Sequence, residues 1–255
     1  MKSILWIARR EMGSFFYSPI FYVVTALFLF INSFMFVPAL MFFSAQSLKA
    51  TQFQQMGISL NPNEMVIEPS LANMGVILLF IIPILTMRSF AEERKNKTFS
   101  LLLSSPVHLR DIVAGKFLAC LGVVAFMILL SSYTVLFVLA LGQPEIGPIL
   151  SGYLGVLLMM GCFIALGVFA SSLTDNQIIA AAISFSLSLF MWIIGWAAES
   201  ADSGVGIILN YFSLVSHLEP FTKGIIDTSD VAYYLSFIVF VLFFTYRVLD
   251  SRRWR

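Results

Sequence analysis

The chain has 255 residues, 59% of them hydrophobic and 11% charged, with a mean hydropathy of +0.92; soluble domains are nearer half apolar and a quarter charged, so water is excluded as its main solvent. The net charge of +1 says little by itself and no nucleic-acid partner is expected; the informative quantity is how the signs are distributed along the chain.

Residues Lys2 to Ser18 place Ile4, Leu5, Ala8, Met12, Phe15 and Phe16 near one face of a helix, with Lys2, Arg9, Arg10 and Ser14 mostly elsewhere. That pattern predicts an amphipathic interfacial helix over residues 1–19. Trp6 and the phenylalanines would enter the acyl boundary, and Pro19 would part the helix from the first span. The plainer alternative is a basic flank of that span. A bilayer core of roughly 30 Å needs about 20 mostly apolar residues in a helix, and six segments meet or approach that length: 20–43, 71–87, 117–141, 149–173, 178–198 and 231–246. Pro83 near the end of the second predicts a kink. The turn Thr174-Asp175-Asn176-Gln177 is short enough to force the fourth and fifth spans antiparallel. The sixth is short for a full crossing, and Arg247 would extend it by laying its stem along the lipid, with Tyr233, Tyr234 and Tyr246 at the interfaces.

Three connecting segments stand out. The loop Ser44 to Ser70 carries Gln52, Gln54, Gln55 and the turn-prone Asn61-Pro62-Asn63, and is read as an outer connector or a contact for an outer-face partner. The stretch 89–115 runs charge first, Glu92-Glu93-Arg94-Lys95-Asn96-Lys97, then apolar, Thr98-Phe99-Ser100-Leu101-Leu102-Leu103. Apolar side chains beyond the membrane end must be covered, either by a groove on a cytoplasmic partner or by headgroups above an idle interfacial helix. Segment 199–230 holds Val205 to Val215, too apolar for a solvated loop and too short to cross. It predicts a re-entrant or interfacial pair of short helices hinged around His217 to Pro220 and Gly224.

None of the six predicted spans contains Asp, Glu, Lys, Arg or His, which argues against proton- or sodium-driven carriage, since such a carrier is expected to keep an intramembrane acid. With a cytoplasmic N-terminus, 13 of the 15 basic residues fall on the cytoplasmic side, leaving Lys49 and Lys223 outside; the bias of basic residues toward the inside then puts both termini in the cytoplasm. Cys120 and Cys162 lie in apolar runs, as small buried hydrophobes do, and His108 and His217 have no partner at metal-ligand spacing, so no cofactor is expected on this chain. A phosphate loop is missing: Gly115-Lys116 is followed by Phe117, and Arg110 stands where the first glycine belongs. No nucleophile motif for an intramembrane enzyme is present either. Gly161/Ala165, Gly167/Ser171 and Ala180/Ser184/Ser188 fit close helix packing.

Met87-Arg88-Ser89-Phe90-Ala91-Glu92-Glu93-Arg94-Lys95, followed by Thr98, Leu101-Leu102-Leu103, Pro106 and Gly115-Lys116, resembles the coupling region of the ABC-2 type permeases, and the likeness covers essentially the whole chain. Ser171 to Ile178 and Gly224 to Val231 are similar to gliding-motility-associated permeases, with copper-site-maturation permeases second; many of the former have Gly and Glu at the positions of Lys97 and Ser100. The resemblance implies an all-α integral membrane fold: six transmembrane helices, an N-terminal interfacial helix, a cytoplasmic coupling helix and outer re-entrant helices before the sixth span. It implies a transport subunit, not an enzyme, in a bacterial inner membrane. It would work with a cytoplasmic ATPase carrying ATP and Mg, a second permease copy or a paralogous permease, membrane lipid, and an auxiliary outer-face protein. The implied ATPase-coupling residues are Arg88, Phe90, Glu92, Glu93, Arg94, Lys97, Thr98, Leu101, Leu102 and Leu103; Tyr211, Phe212, His217, Glu219 and Pro220 mark the outer re-entrant region. A membrane scaffold that anchors a cytoplasmic complex without transport is the alternative.

Overall fold

Long apolar runs wind into helices because, away from water, each backbone N–H and C=O must find its partner within the segment. The structure, a computed structural model, describes residues 2–47, 61–97, 107–141, 144–200 and 203–251, and no strand occurs among them. The helices are α1 (Lys2–Phe16), α2 (Pro19–Ser47), α3 (Glu68–Thr86, entered through the π turn Asn63–Ile67), α4 (Arg88–Lys95), α5 (Leu109–Ser131), α6 (Tyr133–Leu141), α7 (Ile146–Leu173), α8 (Gln177–Ser200), α9 (Ser203–Phe212), α10 (Glu219–Thr222) and α11 (Thr228–Ser251). Among the described residues, six stretches are long and apolar enough to cross a membrane: Pro19–Ser47, Asn63–Lys95, Leu109–Ala140, Ile146–Leu173, Gln177–Ala197 and Thr228–Ser251.

The bundle is built around α7. Its most apolar stretch is 78% buried, against 22% for α11 and 28% for α8, so α7 is the axle and the other two present large apolar side chains to their surroundings. Phe240 and Phe243 on α11 and Phe190 and Trp196 on α8 are among these exposed groups. Close packing on the axle depends on small residues. A Cβ on Gly167 of α7 would lie 2.7 Å from the Thr86 Cβ of α3, closer than real carbon atoms sit. Ser184 of α8 reaches the same spot and is fully buried, as are Ala165, Ala180 and Ser188.

The structure corrects several sequence expectations. The apolar face of α1 is turned largely onto the protein: it lies along α5, with Ile7, Met12, Phe15 and Phe16 packed onto the core, while Leu5 and Trp6 stay exposed. A Cβ on Gly115 would stand 2.8 Å from the Cβ of Ile7, so only a glycine admits this approach. Phe16 packs edge-to-face on Phe21 and Phe126. Among the described side chains, those left exposed on α1 are Leu5, Trp6, Arg9, Arg10 and Ser14. Helix α5 starts at Leu109, eight residues before the apolar run, so 109–115 belong to a span helix and not to a coupling loop. Helix α3 continues through Pro83 to Thr86, and the break falls at Met87. The final helix has 24 residues, long enough to cross without the Arg247 stem.

The six apolar segments read from the sequence hold no ionisable side chain, but the helices that contain them run further and take in buried ones. Lys116 lies inside α5 and Asp230 inside α11, with relative exposures of 3% and 8%. Both stand toward one end of their helices and both have partners, which is how a buried charge avoids the cost of isolation.

Candidate functional site

One end of the bundle carries Arg88 to Lys97, Arg110, Lys116 and Arg247 and is called the basic end here. At this end α4 begins immediately after the break at Met87. The first four N–H groups of any helix lack partners inside it, and Met87 has no side chain able to cap them. The cap comes from α7. Ser171 Oγ accepts from the backbone N–H of Phe90 at 3.0 Å and of Ala91 at 3.1 Å, and donates to the Met87 carbonyl at 3.0 Å. Three backbone groups of the joint thus rest on one hydroxyl, itself fully buried. Arg94 adds a second attachment one turn further on: its Nη1 donates to the Ser172 carbonyl at 2.8 Å, and its Nε meets Asp175 Oδ1 at 2.6 Å. Helix α4 is therefore fixed to the end of α7 and to the turn that leads into α8.

On the other side of α4, Lys116 of α5 makes ion pairs with Glu93 of α4 at 2.8 Å and Glu11 of α1 at 3.2 Å. Its ammonium also lies 5.3 Å from the centre of the Phe90 ring. One cation thereby ties three helices together. Burial alone would raise the Glu11 carboxyl, but the Lys116 ammonium, with help from Arg10, outweighs it and holds the group below its ordinary value of 4.5. Between α1, α4 and α5 lies a cavity of about 200 Å³.

The coupling residues expected from the sequence therefore divide. Phe90 is fully buried, and Glu93 and Arg94 point into the protein, so none of the three presents its polar or apolar tip to a partner. Arg88 and Glu92 are half-buried and line the cavity. Lys97 is exposed, as are Lys95 and Asn96. It has φ +56°, the left-handed conformation in which a helix ends most easily on glycine. Thr98, Leu101, Leu102 and Leu103 lie outside the described residues.

At the opposite end, α9 and α10 form two short helices joined by a turn, with α9 against α8 and α10 against α7. His217 occupies the turn. Its Nδ1 lies 2.6 Å from Asp230 Oδ1, its Nε2 donates to the Tyr211 carbonyl at 3.1 Å, and its ring stacks on Tyr233 with 4.0 Å between centres. Tyr233 and Tyr234 donate their hydroxyls to the carbonyls of Phe212 and Leu214, at 2.9 Å and 2.7 Å. Glu219 is exposed and pairs with Lys223. Pro220 is the second residue of the short α10, whose Phe221 carbonyl accepts from Ser151 of α7 at 2.7 Å. Tyr211 and Phe212 keep their rings exposed.

Sequence reasoning placed Lys116 in the coupling region without its pairing to Glu93 and Glu11, and missed Ser171, Asp175 and Glu11 as members of the basic-end site. A signal existed for Glu11 and Lys116: Glu11 is the lone acid of a basic helix, and Lys116 directly precedes an apolar run. Nothing local marks Ser171, whose partners stand about 80 residues earlier. Among the described residues, no three His, Cys, Asp or Glu side chains gather closely enough to hold a metal ion.

No curated protein matches the chain. The family model described as ABC-2 family transporter protein matches residues 5–247, and proteins of that family are multi-pass membrane components of transporters that work with ABC ATPases. With six candidate spans around one axle and a match over nearly its whole length, the chain belongs to the ABC-2 family of transporter proteins.

Proposed function

We propose that this chain is the permease subunit of an ATP-binding cassette exporter whose ATPase is a separate polypeptide docking at the basic end. The observation that carries the reading is the double attachment of α4 to α7 through Ser171 and through Arg94 with Asp175. A force applied to the exposed Lys95, Asn96 and Lys97 would pass directly to the axle of the bundle. ATP and Mg would be held by the ATPase, whose closure would move α4 and rock α7 and α8 between access states. A second copy, or a paralogous permease, would cover part of the exposed apolar surface of α2, α8 and α11. The basic residues gathered at one end support a cytoplasmic placement for that end and for both termini, in a bacterial inner membrane. Among permeases of the family, the likeness to the gliding-motility-associated group guides the choice of ATPase for a first trial, with copper-site-maturation permeases next; an auxiliary outer-face protein would meet α9 and α10.

The test is ATP hydrolysis by the co-purified complex. Ser171→Ala and Arg94→Ala should leave the ATPase bound and reduce permease-stimulated hydrolysis severalfold, because docking survives while transmission is lost. A scaffold that only anchors a complex predicts hydrolysis indifferent to both substitutions. Labelling of Lys97→Cys by an impermeant reagent is expected only in inverted vesicles, and labelling from the external side would overturn the orientation.

A further inference from the structure

We infer that the cavity between α1, α4 and α5 seats the headgroup of a membrane aminophospholipid, with Arg88 holding the phosphate and Glu92 the ammonium. The inference rests on α1 lying at headgroup depth and not on the ATPase partner.

Three observations carry it. Arg88 and Glu92 are one helical turn apart on α4, have opposite charge and line the same cavity, yet they form no ion pair with each other. Among the described residues, neither side chain has any other hydrogen-bonding or charged partner. Oppositely charged groups at this spacing ordinarily close on one another for a few tenths of a kcal/mol; here both are left facing a common space. The second observation is charge balance. Arg88 and Lys116 are matched by Glu11 and Glu92 in the cavity wall, so a bare phosphate dianion would meet as much repulsion as attraction, whereas a zwitterion would find both of its charges answered. Lys116 commits two of its three N–H groups to Glu11 and Glu93, and the third is available to a phosphate oxygen. The third observation is the neighbouring space. A wider hollow of about 680 Å³, lined by Trp6, Ile7, Gly13 and Tyr17 together with Arg9 and Arg10, shares Ser14 with the cavity. A charged chamber beside a mainly apolar trough that also carries two arginines suits an amphiphile, with its headgroup in one and an acyl chain along the apolar part of the other.

Choline offers no N–H to a carboxylate, so the Glu92 contact would separate phosphatidylethanolamine from phosphatidylcholine. A lipid seated there would also bridge α1 and α4, placing bilayer composition in contact with the helix that the proposed ATPase moves.

The experiment is native mass spectrometry of the full-length protein, delipidated in detergent and then titrated separately with phosphatidylethanolamine, phosphatidylcholine and phosphatidylglycerol. The expected result is one tightly held phosphatidylethanolamine per chain. Arg88→Ala should weaken all three lipids at least about tenfold, the factor set by losing one hydrogen bond to a charged group. Glu92→Gln should lower phosphatidylethanolamine to the level of phosphatidylcholine and leave the latter unchanged. Arg247→Ala, an exposed cation at the same end, should alter nothing. Thermal melting of each variant reports whether it has folded, and Glu92→Gln tests the idea independently if Arg88→Ala has not. Equal lipid retention by the wild type and Glu92→Gln would overturn the proposal. An equal effect of Arg247→Ala would overturn it in favour of unspecific attraction to the protein surface. Displacement of the lipid by millimolar inorganic phosphate would overturn it in favour of a free anion, while displacement by glycerophosphoethanolamine alone would support it.

Discussion

At the basic end, opposite charges on three separate helices meet at Lys116, and α4 hangs from α7 by a serine hydroxyl and an arginine fork. At the opposite end, α9 and α10 are held mainly by aromatic stacking and by hydroxyls that donate to backbone carbonyls within one stretch of chain, and the ionisable pairs there, His217 with Asp230 and Glu219 with Lys223, join residues close in sequence. The first arrangement links elements that are distant in sequence; the second folds a local segment upon itself. Charges between separate helices can transmit a displacement as a unit, whereas a cap built of neighbouring residues keeps its own shape while the rest of the bundle moves.

The contrast can be broken by substitution. Lys116→Ala has the largest expected effect, about 3 kcal/mol of stability, because it strands two partly buried carboxylates; thermal unfolding in detergent measures it, and a loss below about 1 kcal/mol would mean that the cluster is solvated and transmits nothing. Ser171→Ala comes next at about 2 kcal/mol, the cost of leaving the N–H groups of Phe90 and Ala91 without acceptors. It should raise hydrogen exchange in α4 before α9, and the reverse order would break the comparison. Asp230→Asn should cost about 1 kcal/mol, since an amide oxygen can still accept from His217, and its effect should stay within α9, α10 and the start of α11. Glu11→Gln has the smallest effect and a defined pH dependence. The carboxyl of Glu11 is held below 4.5 in the folded protein, so its stabilisation is present above that ordinary value and is lost as pH falls through the lowered one. Melting curves of wild type and Glu11→Gln should therefore differ at neutral pH and converge in acid; a gap that widened on acidification would have the wrong sign.

Much of the fold was legible in the sequence because apolar length alone reports a crossing helix. The six spans, the amphipathic α1 and the two short helices before α11 follow from runs of residues that are neighbours along the chain. Helix ends were less legible. Leu109 to Gly115 read as loop because the stretch is polar, yet it continues α5, and Lys116 just beyond it is paired with α1 and α4. The same limit hid the site. Glu93 and Arg94 look like a solvated charge run, and only the positions of Lys116 and Asp175 in space turn them inward. Replacing Glu93 with Lys would thus set two ammonium groups against each other inside the bundle, and a failure of such a variant to bind an ATPase would report damage to the fold as readily as a lost dock.

The hydroxyl that completes the start of α4 belongs to residue 171, so the arm is translated long before its fastening exists. During synthesis, the N–H groups of Phe90 and Ala91 must wait for the fourth crossing to be made before they acquire their acceptor. A truncated product ending before α7 would carry the whole of the arm's sequence and none of its anchorage. Completion of the axle is thereby a condition for a rigid arm, and a half-made subunit has none.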